Sequence, residues 1–158
     1  MGSVSFVSKN HSVGINAFHF EWCPKYRFAV LSGGIIRKVL TESLTETANL
    51  YGIQILALEV AADHLHIFVN LPPQLSVSKA LQLFKGRSSK DIFNKCPSFR
   101  DLYHKHHFWS RGKFYRSVSN IRSDMVYNYI TGHKNKELSE TVSNARQEIA
   151  QLNLLAFV

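Results

Sequence analysis

Two histidines separated by a single residue, His64 and His66, are the most chemically informative feature of the chain. The apolar run around them is typical of a β-strand, in which residues two apart point to the same face of the sheet. Both imidazoles can therefore meet at one point, where a divalent metal with a third donor keeps open positions for a substrate. A second triplet of this form, at 104–106, lies in a polar stretch, so we predict metal ligands only in the first.

The third donor should come from an element packed on the same sheet face, and His133 is the best candidate. Tyr129 precedes it by four residues in a stretch predicted to be helical. At about 100° per residue, that spacing leaves the two side chains about 40° apart on one helix face, whereas Tyr127 points elsewhere. A metal held by the three histidines would have the Tyr129 hydroxyl within reach. Two alternatives stay open: that Tyr129 simply packs on the sheet, and that His133 is a solvated residue at the end of the helix.

A tyrosine beside a metal suits attack on a phosphodiester. A phenol with a pKa near 10 is a weak nucleophile at neutral pH, but a divalent metal stabilises the charge that develops on the scissile phosphate. The product would be a 5′-phosphotyrosine, which conserves the phosphodiester energy and lets the held end pass to a new 3′-hydroxyl. The pattern therefore favours breaking and rejoining of strands over hydrolysis.

Basic side chains interleaved with aromatic ones supply what a nucleic-acid substrate requires. Lysine and arginine would contact phosphates, and unpaired bases could stack on the rings. A net charge of +8 and a pI near 9.7 indicate a positive field that attracts phosphate backbones. The residues predicted to contact DNA are Lys25, Arg27, Lys79, Lys85, Arg87, Arg111, Lys113 and Arg116.

The elements that must position these residues alternate between strands and helices. Periodicity predicts strands over 15–22, 53–60 and 64–71, and strand pieces at 108–109 and 113–118. It predicts helices over 35–51, after Ser76, over 120–136 and over about 138–152, with an irregular stretch before residue 107. This order predicts an α+β fold: a ferredoxin-like (split βαβ) sandwich with one antiparallel sheet and helices packed on it.

A chain of 158 residues with 45% hydrophobic residues suits one domain with a real core. We expect a single domain over 1–158, in which residues 1–13 are flexible and 137–158 form a C-terminal helical segment. Cys23 and Cys96 are too few for a disulfide scaffold. No stretch has the roughly 20 apolar residues of a membrane span or the pattern of a signal peptide, so we expect a soluble, cytoplasmic protein without membrane contact.

The motifs occur in an order that resembles the single-tyrosine HUH transposases of small bacterial and archaeal insertion sequences. They are FEWCPKYR at 20–27, DHLH at 63–66, SVSK at 76–79, KGRSS at 85–89, WSRG at 109–112 and Tyr129-Ile130. The resemblance covers about residues 15–136. It implies a metal-dependent tyrosine transposase that uses Mg²⁺ or Mn²⁺ and binds single-stranded DNA with subterminal hairpins. It also implies a homodimer with composite active sites, in which one subunit's histidine pair meets the other subunit's tyrosine.

One position departs from the family. The family usually has glutamine four residues after the tyrosine, where this chain has His133. Three imidazoles favour Mn²⁺ or Zn²⁺ over Mg²⁺, which prefers oxygen ligands, so the metal stays open. Two other functions also stay open: a non-catalytic single-stranded nucleic-acid-binding module of the same fold, and a zinc hydrolase in which water attacks and Tyr129 only orients the substrate.

Overall fold

The computed structural model describes residues 7–9, 12–103 and 105–118 of the chain. Tyr129, His133 and the helical segments predicted after residue 118 lie outside these ranges. None of the helices in the described ranges is long and apolar enough to cross a membrane.

Six strands, three α-helices and one short 3-10 helix over Lys25–Arg27 follow one another in the described ranges. The strands are β1 (Val7–Lys9), β2 (Ser12–Gly14), β3 (Ala17–Trp22), β4 (Gln54–Val60), β5 (Leu65–Asn70) and β6 (Phe114–Ser117), and the helices are α1 (Gly34–Tyr51), α2 (Val77–Lys95) and α3 (Phe99–Leu102). β1 and β2 pair with each other in antiparallel fashion, within a segment for which the sequence predicted no regular structure.

The main sheet has the strand order β4-β5-β3-β6, and all neighbouring strands are antiparallel. Because α1 connects β3 to β4 and α2 precedes β6, the chain follows the order β-α-β-β-α-β. That order and strand arrangement define the ferredoxin-like α+β sandwich. The fold predicted from the sequence is therefore confirmed.

α1 buries one side against the sheet. Its apolar residues recur at three- and four-residue spacing, and Ile36, Leu40 and Leu44 lie in the core. The helix ends at its predicted position because Gly52 adopts a left-handed φ of 64°. Glycine has no Cβ to clash in this conformation, and its N–H closes the last turn onto the carbonyls of Ala48 and Asn49.

α2 begins at a side-chain cap and continues through a glycine. The hydroxyl oxygen of Ser76 accepts a hydrogen bond from the backbone N–H of Lys79 at 3.2 Å, which satisfies one free donor of the first turn. Gly86 lies within the helix without ending it. Phe84 and Ile92 are fully buried and fix the face that α2 turns toward the core.

The two faces of the sheet differ in chemistry. Phe20 and Trp22 of β3 belong to the main core with residues of α1 and α2. The alternate residues His19 and Glu21 point to the opposite face, since side chains along a strand alternate. A smaller apolar cluster that includes Phe68 of β5 lies on this second face, which also carries the candidate site.

Residues 97–113 differ from the sequence prediction. The predicted irregular stretch contains α3, because the N–H of Tyr103 bonds to the carbonyl of Phe99 at 3.0 Å and closes a helical turn. The strand piece predicted at 108–109 is a single antiparallel bridge between Pro24 and Trp109. Prolines have no N–H for an extended ladder, so the pairing with this segment stays short.

Candidate active site

The histidine pair lies at the start of β5, on the face away from α1 and α2. His66 is within the strand, whereas His64 stands one residue before it, and its carbonyl accepts a hydrogen bond from Ala61 N–H at 2.9 Å. In the cross-strand register, Glu21 of β3 and Glu59 of β4 stand on either side of His66. Directly opposed side chains share one face, so two carboxylates flank this histidine.

Glu21, His64 and His66 form a candidate metal centre. One ligand atom from each lies within 4.8 Å of the others, and the two imidazole rings are nearly perpendicular, with centroids 4.9 Å apart. These three side chains are therefore close enough together that they could hold one divalent ion. Two imidazole nitrogens and a carboxylate are the donor set of many catalytic metals that keep open positions.

An acidic residue and a basic residue stand behind His64. Nδ1 of His64 lies 2.6 Å from Oδ1 of Asp63, and Nε of Arg27 donates to Oδ2 of Asp63 at 3.1 Å. The hydrogen bond with His64 lowers the pKa of the Asp63 carboxyl below its ordinary value; partial burial opposes this and Arg27 reinforces it. Asp63 therefore stays ionised at neutral pH and can accept both hydrogen bonds.

A different partner stands behind His66. Nε2 of His19 lies 3.0 Å from Nδ1 of His66, whereas the nearest oxygen of Glu21 is 3.7 Å from the same nitrogen, which is too long for a hydrogen bond. His19 and His66 are 5% and 7% exposed. The histidine pair thus sits against a buried imidazole on one side and a carboxylate on the other.

Only part of the site predicted from the sequence lies within the described residues. His64 and His66 come together as expected, but His133 and Tyr129 fall outside the described ranges, so both stay predictions. Glu21 was not among the metal ligands predicted from the sequence. Its signal was the alternation in FHFEW, where His19 and Glu21 share one face of an otherwise apolar strand.

Two predicted DNA contacts on α2 are engaged within the protein. Nζ of Lys85 donates to the carbonyls of Ser110 and Gly112 at 2.7 and 3.2 Å, and so ties the 109–112 segment to the helix. Arg87 forms ion pairs with Glu46 of α1 and Asp91 of α2. A DNA phosphate would have to share these two side chains with their present partners.

The remaining predicted DNA contacts lie nearer to solvent. Arg111, Lys113 and Arg116 are exposed, and Arg116 stands opposite His19 across β3 and β6, on the face of the metal centre. Lys79 and Lys25 interact only weakly with neighbours: Nζ of Lys79 is 3.4 Å from the side-chain oxygen of Gln82, and Nζ of Lys25 lies 5.0 Å from the Tyr26 ring centroid. A groove of about 610 Å³ between α2 and the 107–113 segment includes Lys113 in its lining.

Lys85 provides a pH-dependent prediction. Burial, and to a smaller extent the charge of Lys113, lowers the pKa of Lys85 from 10.5 to about 8. Between about pH 8 and 10.5 the unfolded chain therefore binds more protons than the folded protein, so stability rises with pH in that window. A neutral amine still donates two hydrogen bonds, so the contacts with Ser110 and Gly112 persist.

We therefore expect the unfolding free energy of the wild type to increase relative to Lys85→Met when the pH is raised from 7.5 to 9.5. Urea unfolding of both proteins at the two pH values measures the difference. A gap between the two proteins that does not change with pH would show that Lys85 keeps its ordinary pKa.

Comparison with known proteins identifies the family of this chain. The family model "Transposase IS200 like" matches residues 13–133. The ISDra2 transposase TnpA of Deinococcus radiodurans is 27% identical over 120 residues, which cover 76% of this chain and 85% of that protein. The transposase for insertion sequence element IS200 of Salmonella typhimurium is 32% identical over 103 residues, 64% of this chain and 66% of that protein.

Two solved structures share the fold. A crystal structure of a candidate transposase from Deinococcus radiodurans R1 superposes with a TM-score of 0.66 at 24% identity, over 80% of this chain and 96% of that one. A REP-associated tyrosine transposase bound to a REP hairpin superposes with a TM-score of 0.51 at 14% identity, over 78% and 67% of the two chains. Since the family model spans most of the sequence and the fold agrees, this chain belongs to the IS200-like transposase family.

Proposed function

We propose that the protein cleaves and rejoins single-stranded DNA at the ends of an insertion sequence through a 5′-phosphotyrosine intermediate. The observation that carries the proposal is the cluster of Glu21, His64 and His66 on one sheet face of an IS200-like transposase. Tyr129 is the proposed nucleophile. The proposal places the reaction in the cytoplasm of a prokaryotic cell, where the DNA substrate lies.

Each strand cleavage exchanges one phosphoester bond for another. The phenolic oxygen of Tyr129 attacks the scissile phosphorus, an O–P bond to tyrosine forms, and the bond from phosphorus to the 3′-oxygen breaks. The tyrosine loses its proton, and the released 3′-oxygen gains one to become a hydroxyl. Rejoining is the reverse reaction with a new 3′-hydroxyl, so no external energy source is required.

The residues proposed to hold the metal are His64, His66 and Glu21, with His133 as a further predicted ligand. A divalent metal held by them would stabilise the charge that develops on the phosphate during attack. The carboxylate of Glu21 changes the expectation for the ion, because an oxygen donor suits Mn²⁺ or Mg²⁺ better than an all-imidazole set does. We therefore favour Mn²⁺ or Mg²⁺, with Zn²⁺ as a competitor.

The proposed substrate is single-stranded DNA with a hairpin near each cleavage site. The structural neighbour bound to a REP hairpin supports a hairpin ligand for this chain, and the net charge of +8 supports phosphate contact. The exposed cations Arg111, Lys113 and Arg116 are the foremost candidates for that contact. We further propose a homodimer with composite active sites, in which Tyr129 of one subunit attacks the phosphate held at the histidine pair of the other.

An adduct assay tests the proposal. The full-length protein is incubated with Mn²⁺ and single-stranded oligonucleotides that carry the DNA flanking its coding region, and the products are separated under denaturing conditions. A label at the DNA 3′ end should migrate with the protein, and a label at the 5′ end should leave as a shorter free strand. DNA binding without any adduct on either label would favour the non-catalytic nucleic-acid-binding module.

Glu21 and Glu59 allow a matched test of the third ligand, since both flank His66 across neighbouring strands. We expect Glu21→Gln to weaken Mn²⁺ binding by on the order of tenfold or more, because only Glu21 lies in the metal cluster with His64. Glu59→Gln removes the same charge and should leave the affinity within about twofold. Calorimetric titration of both variants with Mn²⁺ measures the difference, and equal losses would indicate a general charge effect instead of ligation by Glu21.

A further inference from the structure

Both histidines of the pair have Nδ1 occupied by a partner. Nδ1 of His64 lies 2.6 Å from a carboxylate oxygen of Asp63, and Nδ1 of His66 lies 3.0 Å from Nε2 of His19. The hydrogen bond at one ring nitrogen decides which tautomer an imidazole adopts and which nitrogen is left to bind a metal. With Nδ1 held in this way, Nε2 is the nitrogen that each ring would offer to an ion.

We propose that His19 positions His66, and that the Arg27–Asp63 ion pair positions His64, as ligands of the metal. Arg27 then belongs to the metal centre and not to the DNA contacts predicted from the sequence. The proposal rests on the metal-dependent function proposed above. It assigns each ligand a different partner, an imidazole for His66 and an anchored carboxylate for His64.

The ring of His19 is held in place from several sides. It stacks on Phe68 with centroids 4.6 Å apart and an interplanar angle of 14°, and the ring of Phe114 meets it edge-on at 5.7 Å. His19 also stacks on His66 at 5.1 Å. Because these rings fix its plane, the Nε2 of His19 has little freedom to turn away, and it can restrain the ring of His66.

Arg27 is held toward Asp63 by an unusual turn. Tyr26 and Arg27 both have positive φ, 65° and 57°, a conformation that is uncommon and costs energy for residues other than glycine. The turn is anchored by hydrogen bonds from Lys25 N–H to the Phe108 carbonyl at 2.8 Å and from Arg27 N–H to the Pro24 carbonyl at 3.0 Å. A costly turn that ends on one ion pair indicates that the direction of the Arg27 side chain matters.

The two carboxylate oxygens of Asp63 contact different residues. Oδ1 faces His64 and Oδ2 faces Arg27, so the guanidinium restrains the carboxylate without competing for the oxygen that the imidazole uses. An anchored carboxylate behind a histidine ligand orients the ring and strengthens its donation to the metal. Loss of Arg27 would release Asp63 and, through it, the ring of His64.

Manganese binding to the full chain without DNA tests the role of Arg27. The free Mn²⁺ signal in electron paramagnetic resonance measures binding for the wild type, Arg27→Met and Arg27→Lys, with Arg37→Met of α1 as a control that removes the same charge. We expect Arg27→Met to weaken binding about 10- to 100-fold, Arg27→Lys to recover part of it, and Arg37→Met to stay within about twofold.

Metal-free DNA binding separates the two possible roles of Arg27. In EDTA, the affinity of Arg27→Met for a single-stranded oligonucleotide and its dependence on salt should match the wild type. A DNA contact would instead lower the affinity and reduce the salt slope by about 0.7. That result, together with unchanged Mn²⁺ affinity, would overturn the assignment of Arg27 to the metal centre.

A matched pair of variants tests His19. His19→Phe keeps a flat ring between Phe68 and Phe114 but has no hydrogen-bonding nitrogen, and we expect it to weaken Mn²⁺ binding about 10- to 100-fold. His19→Gln carries an amide that can still accept from His66 and should recover part of the affinity. In a His66→Ala background, His19→Phe should cause no further loss.

The outcomes distinguish this proposal from the proposed function. Wild-type Mn²⁺ affinity in both His19→Phe and Arg27→Met, in proteins that melt within a few degrees of the wild type, would overturn the positioning roles and leave the metal-dependent function standing. A wild-type protein that binds no Mn²⁺ would overturn both.

Discussion

Tyr129→Phe should abolish the covalent protein–DNA adduct while the protein still binds DNA and metal. Phenylalanine keeps the ring but lacks the oxygen that forms the bond to phosphorus, so the loss should be complete for the adduct and on the order of 10⁴-fold or more for strand cleavage. The measurement is the 3′-label adduct assay with Mn²⁺, together with DNA affinity in EDTA. DNA affinity should stay within about twofold of the wild type.

Tyr127→Phe is the matched control for this experiment. It changes the same residue type two positions away, and the adduct should form at close to the wild-type rate. Cleavage that continues in Tyr129→Phe, with a free 5′-phosphate and no adduct, would indicate that water is the nucleophile. The zinc hydrolase reading of the site would then replace the covalent mechanism.

His66→Ala should remove metal-dependent cleavage and weaken Mn²⁺ binding by about two orders of magnitude or more. The reason is geometric: His66 supplies one donor of the metal cluster and stands in register between Glu21 and Glu59. The variant should remain folded, because loss of the hydrogen bond between His66 and the buried His19 costs about 1–3 kcal/mol, less than the usual stability of a domain. Mn²⁺ titration and circular dichroism measure the two effects.

His106→Asn is the control for the second HxH triplet. His106 is exposed and has a φ of 51°, a conformation that asparagine tolerates. Mn²⁺ affinity and cleavage should be unchanged in this variant. If His106→Asn lowered metal affinity as much as His66→Ala, the choice of the first triplet as the metal-binding pair would be wrong.

Local sequence signals were sufficient for most of the fold. The four-residue spacing along α1, the left-handed Gly52 that ends it and the Ser76 cap of α2 are each encoded within a few residues. α3 was missed because its four residues span a single turn, which is too short for a periodic pattern.

The metal centre was only partly predictable, since its third donor depends on strand register. The spacing of His64 and His66 is visible within three residues, but Glu21 reaches them only because β3 pairs with β5 so that Glu21 opposes His66. A shift of one residue would turn Glu21 to the opposite face. The alternation of residue types in β3 indicates a polar face, but no local pattern in the sequence predicts which strand pairs with β3.

The interaction partners of the basic residues could not be predicted from the sequence either. A lysine or arginine on a helix has the same local pattern whether it meets a phosphate or a protein oxygen. Lys85 donates to carbonyls 25 and 27 residues away, and Arg87 pairs with Glu46 of another helix. These contacts depend on the tertiary packing of α1, α2 and the 109–112 segment.

The most direct test of the proposed covalent mechanism is the identity of the residue joined to DNA. The adduct formed with Mn²⁺ is digested with nuclease and trypsin, and the peptide over 123–134, which contains both Tyr127 and Tyr129, is sequenced by fragmentation in a mass spectrometer. The covalent mechanism predicts a nucleotide linked through its 5′-phosphate to Tyr129. A nucleotide on Tyr127 or on any other residue, or cleaved DNA with an unmodified peptide, would contradict it.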